Sequence, residues 1–271
     1  MPQDRFGLPG RVAIVTGAGK GIGAAVALTL ADAGADSLVV ARTGADLESV
    51  AEQVRARGRR CIPVAGDVND LDLLAEIVER AVADLGSLDV VVNNAGGSVS
   101  SPMLDTSVRS LEKSFHFNVS VPFELSRLAV PHLLRREGSS IVNVSSVAGR
   151  HATRGGLTHS LTKAALSQLT RLMAAELAPR IRVNAVLPGA VETDALAWYL
   201  EQLDPRLRDE MRRRTPMRRN GTPDDIAEAV LLLASPAASW ITGKLLEVDG
   251  AAEDNLLPSD QPDLVAPVPG E

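Results

Sequence analysis

The sequence is short of several things, and each shortage excludes something. It holds one cysteine, Cys61, so no disulfide can form within the chain. Cys61 sits in the apolar run "CIPVA", where a thiol serves as a small buried hydrophobe. No group of Cys and His has the spacing of a metal site. Aromatic residues make up only 3% of the chain, and Tyr199 is the sole tyrosine. No apolar run approaches the roughly 20 residues that span a bilayer. The N-terminal "MPQDRFGLPG" lacks the hydrophobic centre of a secretion signal, so a cytoplasmic location is expected. Positive charge is also too scarce for a nucleic-acid footprint: the formal net charge is −6, with both signs interspersed. The densest basic run, Arg212 to Arg214 and then Arg218 and Arg219, is broken by "TPM" and preceded by acids. It reads as a solvated face or as a loop over an anionic ligand.

What the chain does have is hydrophobic residues in a regular rhythm. Its 271 residues, 45% of them hydrophobic, suit one large domain or at most two. Short apolar runs at 11–16, 37–41, 61–67, 88–96, 139–146, 180–189 and 244–250 read as strands. Longer helical patterns separate them, at 21–34, 45–58, 70–86, 106–136 (with Pro122 a candidate break) and onward from about 157 through Leu177. Strands that are continuous Val, Ile and Leu, alternating with helices, imply a parallel sheet covered on both faces. The expected fold is α/β, a doubly wound parallel sheet of about seven strands in a single domain over 1–250. Residues 251–271, rich in Pro and Asp, read as a tail. The segment 190–222 interrupts the rhythm just past the sixth strand, on the side where ligands bind in such sheets, and is the candidate substrate lid.

The stretch "VTGAGKGIGAAVA" joins the first strand to the first helix. Glycines there let the backbone turn sharply and approach a pyrophosphate at the helix N-terminus. Gly17, Gly19, Lys20, Gly21, Ile22 and Gly23 are therefore candidate cofactor contacts. The end of the second strand reads Val40-Ala41-Arg42-Thr43, with no acid until Asp46. An acid at the strand end suits the ribose of NAD, whereas an arginine suits the 2′-phosphate of NADP. Arg42 and Lys20 together are expected to clamp that phosphate, favouring NADP(H) over NAD(H); two solvated surface cations are the alternative.

These motifs and those that follow resemble the short-chain dehydrogenase/reductase family, in the family's order, over residues 11–250. "TGAGKGIG" is similar to its cofactor turn, and "GDV" to the segment that meets the adenine, which points to Asp67 and Val68. "NNAG" is similar to the motif lining the cofactor, which points to Asn94, Ala95 and Gly96. "NAVLPGAVET" resembles the segment around the nicotinamide amide, which points to Pro188, Gly189, Val191 and Thr193. Asn118 in "FHFNVS" and Ser146 in "IVNVSS" match the family's relay asparagine and its substrate-binding serine. The resemblance implies a Rossmann-type fold, a homodimer or homotetramer, and hydride transfer between the nicotinamide and a carbonyl or alcohol carbon. It implies a tyrosine that moves the proton and a lysine four residues later that binds the nicotinamide ribose. Thirteen residues after Ser146 the chain has His159, and Lys163 follows in the family's place.

A phenol needs help to work at neutral pH, whereas an imidazole, with a pKa near 6.5, needs none. A Lys163 ammonium nearby pushes the imidazole further toward its neutral form, which suits alcohol oxidation. Reach is the difficulty, because the imidazole Nε2 ends about 2 Å short of a tyrosine hydroxyl. The catalytic set expected is Asn118, Ser146, His159 and Lys163. Three functions are open: an oxidoreductase using His159 directly or through water, an NADP-binding protein of impaired turnover, and a lyase or isomerase using His159. His116 and His132 read as packing or surface residues. His151, Leu196 and Tyr199 are candidate substrate contacts, and the apolar cluster around Tyr199 favours a hydrophobic, steroid-like or acyl ketone substrate.

Overall fold

Strand β1 (Val12–Thr16) is buried along its whole length, and its side chains alternate between two cores. Ala13 and Val15 face one core, while Val12 and Ile14 face the other. That is the period of a pleated strand covered on both sides, and it explains the unbroken apolar run. The computed structural model describes residues 5–152, 154–194, 196–197 and 206–252.

Six more strands follow: β2 (Asp36–Ala41), β3 (Cys61–Ala65), β4 (Val90–Asn93), β5 (Ser140–Val144), β6 (Arg182–Pro188) and β7 (Leu245–Val248). They form one seven-stranded sheet in the order β3-β2-β1-β4-β5-β6-β7, and every pair is parallel. Helices α1 (Gly21–Asp32) and α2 (Gly44–Ala56) cover one face, joined there by the late helix α8 (Pro223–Ala234). Helices α3 (Leu71–Leu85), α5 (Val121–Leu133) and α6 (Leu157–Leu177) cover the other. Helix α4 (Val108–Phe115) precedes α5, and α7 (Arg206–Arg214) lies in the segment after β6.

Chain order reverses between β1 and β4, which are neighbours in the sheet. Such a switch point leaves a crevice at the carboxyl ends of the strands. The fold places Thr16, Asn93, Val144 and Pro188 at those ends. Beneath it runs a buried polar ladder. Asn93 Nδ2 donates to Ser126 Oγ at 3.1 Å and to Asn143 Oδ1 at 2.8 Å. Asn143 Nδ2 donates to Thr170 Oγ1 at 2.8 Å, so the ladder ties α5 to β4, β5 and α6. At the opposite edge, the fully buried Asp89 carboxylate accepts from Arg11 Nη1 at 2.7 Å, Arg136 Nε at 2.8 Å and Val12 N at 3.0 Å.

The expected long helix over 106–136 runs unbroken from Val108 to Leu133, but it is not α-helical throughout. Between α4 and α5 the chain widens into a π-turn, His116–Ser120, carrying Asn118. Pro122 does not break the helix, because it sits in the first turn of α5, where its missing N–H is not needed. Cys61 is buried, as its apolar setting requires. Among the described residues no helix is long and apolar enough to cross a membrane.

Candidate functional site

The glycine turn is held from across the switch point. Thr16 Oγ1 accepts from Asn94 N at 3.1 Å and from Ala95 N at 3.0 Å. Asn94 Nδ2 donates to the carbonyls of Thr16 at 2.9 Å and Gly17 at 3.1 Å. Gly17 turns with φ of 64°, and a Cβ on it would stand 2.9 Å from Asn94 Nδ2. Only glycine fits that turn at low cost. No side chain caps α1 and its first turn carries no acid, which leaves the leading N–H groups open to an anion. Thr193, from the segment after β6, packs over the same turn: a Cβ on Gly21 would lie 3.2 Å from its Cγ2. Pro188 ends β6 opposite Val248, Gly189 N bonds to the Val248 carbonyl at 3.1 Å, and Val191 bridges to Gly221.

Lys163 is the centre of the second half of the site. Its side chain is buried, and Nζ donates to the Val144 carbonyl at the end of β5 at 2.8 Å. A Cβ on Gly96 would stand 3.0 Å from Lys163 Nζ and 3.0 Å from Asn118 Oδ1, so glycine lets these two groups converge. Asn118 is pinned there. Its Oδ1 accepts from Gly97 N at 2.8 Å, and its Nδ2 donates to the carbonyls of Gly97 and Ser114, both at 2.9 Å. The loop after β5 is sewn to α6 at the same level: Ser145 Oγ donates to the Lys163 carbonyl at 2.9 Å and pairs with Ser167 Oγ at 2.8 Å. That places Ser146, whose Oγ accepts from Ala148 N at 3.1 Å and donates to no acceptor among the described residues.

His159 lies one turn before Lys163 on α6, half-buried, its ring making no hydrogen bond to another described residue. Burial pushes the imidazole down to about 4, and the Lys163 ammonium adds to the effect. The sequence pointed to the ammonium alone; desolvation is the larger cause. Burial also pushes Lys163 down to about 8.

Lys20 Nζ lies 3.5 Å from Asp46 Oδ2, while the exposed Arg42 pairs with no carboxylate among the described residues. Tyr199, most of the apolar lid cluster and the tail from 253 lie outside the described residues. His151 is half-buried in the loop after β5, and Leu196 N bonds to Thr193 Oγ1 at 3.2 Å. Asp67 is exposed and bonded to Asn69, which holds its carboxyl below the usual range; the charges of Arg42 and Lys113 act in the same direction. Val68 is buried beside it. Thr16 and Ser145 went unmarked in the sequence because their partners lie far away along the chain.

The profile of the enoyl-(acyl carrier protein) reductase family matches residues 17–251. The 7α-hydroxysteroid dehydrogenase of Escherichia coli strain K12 is 37% identical over 256 residues, 94% of this chain and 98% of its own length. The chain belongs to the short-chain dehydrogenase/reductase family. An uncharacterized oxidoreductase of Mycobacterium tuberculosis is 46% identical over 265 residues, covering 97% of this chain and 100% of its own. The solved complex of 7α-hydroxysteroid dehydrogenase with NADH and 7-oxo glycochenodeoxycholic acid aligns with a TM-score of 0.88 at 36% identity. It covers 93% of this chain and 97% of that one. As a short-chain dehydrogenase/reductase, the protein is an oxidoreductase of alcohol and carbonyl groups that works with a nicotinamide cofactor.

Proposed function

We propose that this short-chain dehydrogenase/reductase prefers NADP(H) and oxidises a secondary alcohol on a hydrophobic substrate, a steroid-like ring system or an acyl chain. His159 is its proton acceptor. The observation that carries the reading is the convergence of the buried Lys163 and Asn118 around Gly96, with His159 one turn away on the same helix. His159 then stands where the family places its tyrosine. The steroid-like class rests on the 7α-hydroxysteroid dehydrogenase relative, and the acyl class on the matching family profile.

The residues fit a dinucleotide. The uncapped start of α1, with Gly17, Gly19, Lys20, Gly21, Ile22 and Gly23, takes the pyrophosphate. Asp67 and Val68 would flank the adenine, and the exposed Arg42, paired with no carboxylate among the described residues, would face the 2′-phosphate together with Lys20. Asn94, Ala95, Gly96, Pro188, Gly189, Val191 and Thr193 would line the nicotinamide half, and Lys163 would bind its ribose. A bound nicotinamide would supply the acceptor for the hydride that leaves the alcohol carbon. Ser146 donates its proton to the substrate oxygen and holds it in place. His159, neutral at working pH because burial holds it near 4, takes the hydroxyl proton. One water bridges the reach of about 2 Å that the shorter ring leaves open. Carbonyl reduction would need the imidazolium, which is scarce at neutral pH. His151 and Leu196 contact the body of the substrate.

A second reading draws on the same low basicity. An imidazole that loses its proton near 4 is a weak base, which favours a cofactor-binding protein of slow turnover. Comparing wild type with His159→Ala on a panel of secondary alcohols, followed by nicotinamide absorbance, separates the two. Loss of an acting acid/base lowers turnover by about 10²–10⁴. Equal turnover of the two proteins makes His159 a bystander, and the second reading stands.

A further inference from the structure

The cofactor reading above leaves one acidic group at the adenosine end unused. Asp46 stands in the first turn of α2, four residues past Arg42. Its Oδ2 is 3.5 Å from Lys20 Nζ, with the Asp46 side chain 29% and the Lys20 side chain 62% exposed. Its stem packs on the glycine turn: a Cβ on Gly19 would stand 3.3 Å from Asp46 Cβ and 3.3 Å from Ala41 Cβ. The carboxylate is thus fixed between the turn that faces the pyrophosphate and the strand end that faces the adenosine ribose. Arg42, just past that strand end, is exposed and pairs with no carboxylate among the described residues. Two cations and one anion would therefore stand near a ribose 2′-position.

We propose that Asp46 sets the cofactor selectivity of this site by opposing the 2′-phosphate. The inference rests on the nicotinamide-cofactor reading. To use Lys20, a 2′-phosphate must first draw it away from Asp46, and it must do so against the repulsion of a carboxylate. An unphosphorylated ribose meets the reverse situation. The carboxylate accepts from its 2′-hydroxyl, doing from α2 what an acid at the end of β2 does in an NAD site. Arg42 pulls toward NADP and Asp46 pulls back, so the chain binds both cofactors with a narrow preference.

The test uses adenosine 2′,5′-bisphosphate and AMP, which differ only in the 2′-phosphate and carry no nicotinamide, so His159 plays no part in the readout. Calorimetric titrations compare wild type, Asp46→Asn, Lys20→Met and the double variant. Asp46→Asn is expected to tighten the bisphosphate by roughly 3- to 10-fold while leaving AMP unchanged or weaker. Lys20→Met is expected to lose more bisphosphate affinity in the Asp46→Asn background than in wild type. Bisphosphate affinity that ignores Asp46→Asn, or that moves equally with AMP, overturns the inference while leaving the cofactor reading intact. If wild type binds neither NAD nor NADP, the cofactor reading itself fails and this inference falls with it.

Discussion

A buried ammonium is expensive, and Lys163 shows where the expense falls. Among the described residues its Nζ has one carbonyl partner and no carboxylate to offset its desolvation. In the unfolded chain it titrates at its ordinary value near 10.5; in the fold, at about 8. Between those values the unfolded chain binds a proton that the folded chain does not. Stability therefore rises as pH climbs from 8 to 10.5 and is lost again as pH falls. Lys163→Met removes this dependence. Urea unfolding of both proteins at pH 7.5 and pH 10 should show wild type gaining on the variant by on the order of 2–3 kcal/mol. An unchanged difference means that the ammonium is solvated. The place of His159 was legible in the sequence, because Ser146 and Lys163 bracket it at the family's spacing. Its low basicity was not, since that depends on burial by residues distant in the chain.

At the scale of elements, the strands were legible because burial on both faces leaves an unbroken apolar run. Their ends were less so. The expected strand over 88–96 stops at Asn93, since Asn94 and Ala95 leave the ladder to hold the glycine turn through Thr16. The π-turn was not read from the sequence either; within it Asn118 reaches Gly97, a partner more than twenty residues earlier in the chain. The helices also show an apolar outer face. Phe115, Phe123, Leu161 and Leu172 of α4, α5 and α6 are 43%, 45%, 48% and 56% exposed. A second copy of the chain is the expected cover, in a homodimer or homotetramer. Sedimentation should give a mass that is a multiple of 28.5 kDa. Leu172→Asp should shift it toward the monomer; a monomeric wild type contradicts the pairing.

In the whole molecule, one parallel sheet gathers residues from the loops after its first six strands at its carboxyl edge, while buried groups hold the sheet itself. The Asn93–Asn143–Thr170 ladder registers the helices beneath the site. At the far edge, burial alone would raise the Asp89 carboxyl, but its bonds from Arg136, Arg11 and Ser87 outweigh that and hold it below the usual range. The proposed chemistry thus turns on one position, His159, and activity reports on that position directly. The decisive measurement is alcohol oxidation by wild type and His159→Tyr across pH 5.5–8, followed by nicotinamide absorbance. If His159 is the working base, wild type turns over at least as fast as the tyrosine variant, at a rate flat from pH 5.5 to 7, where the imidazole is neutral and Lys163 keeps its proton. A gain of about a hundredfold or more on introducing tyrosine, the size of a restored acid/base, would contradict the account.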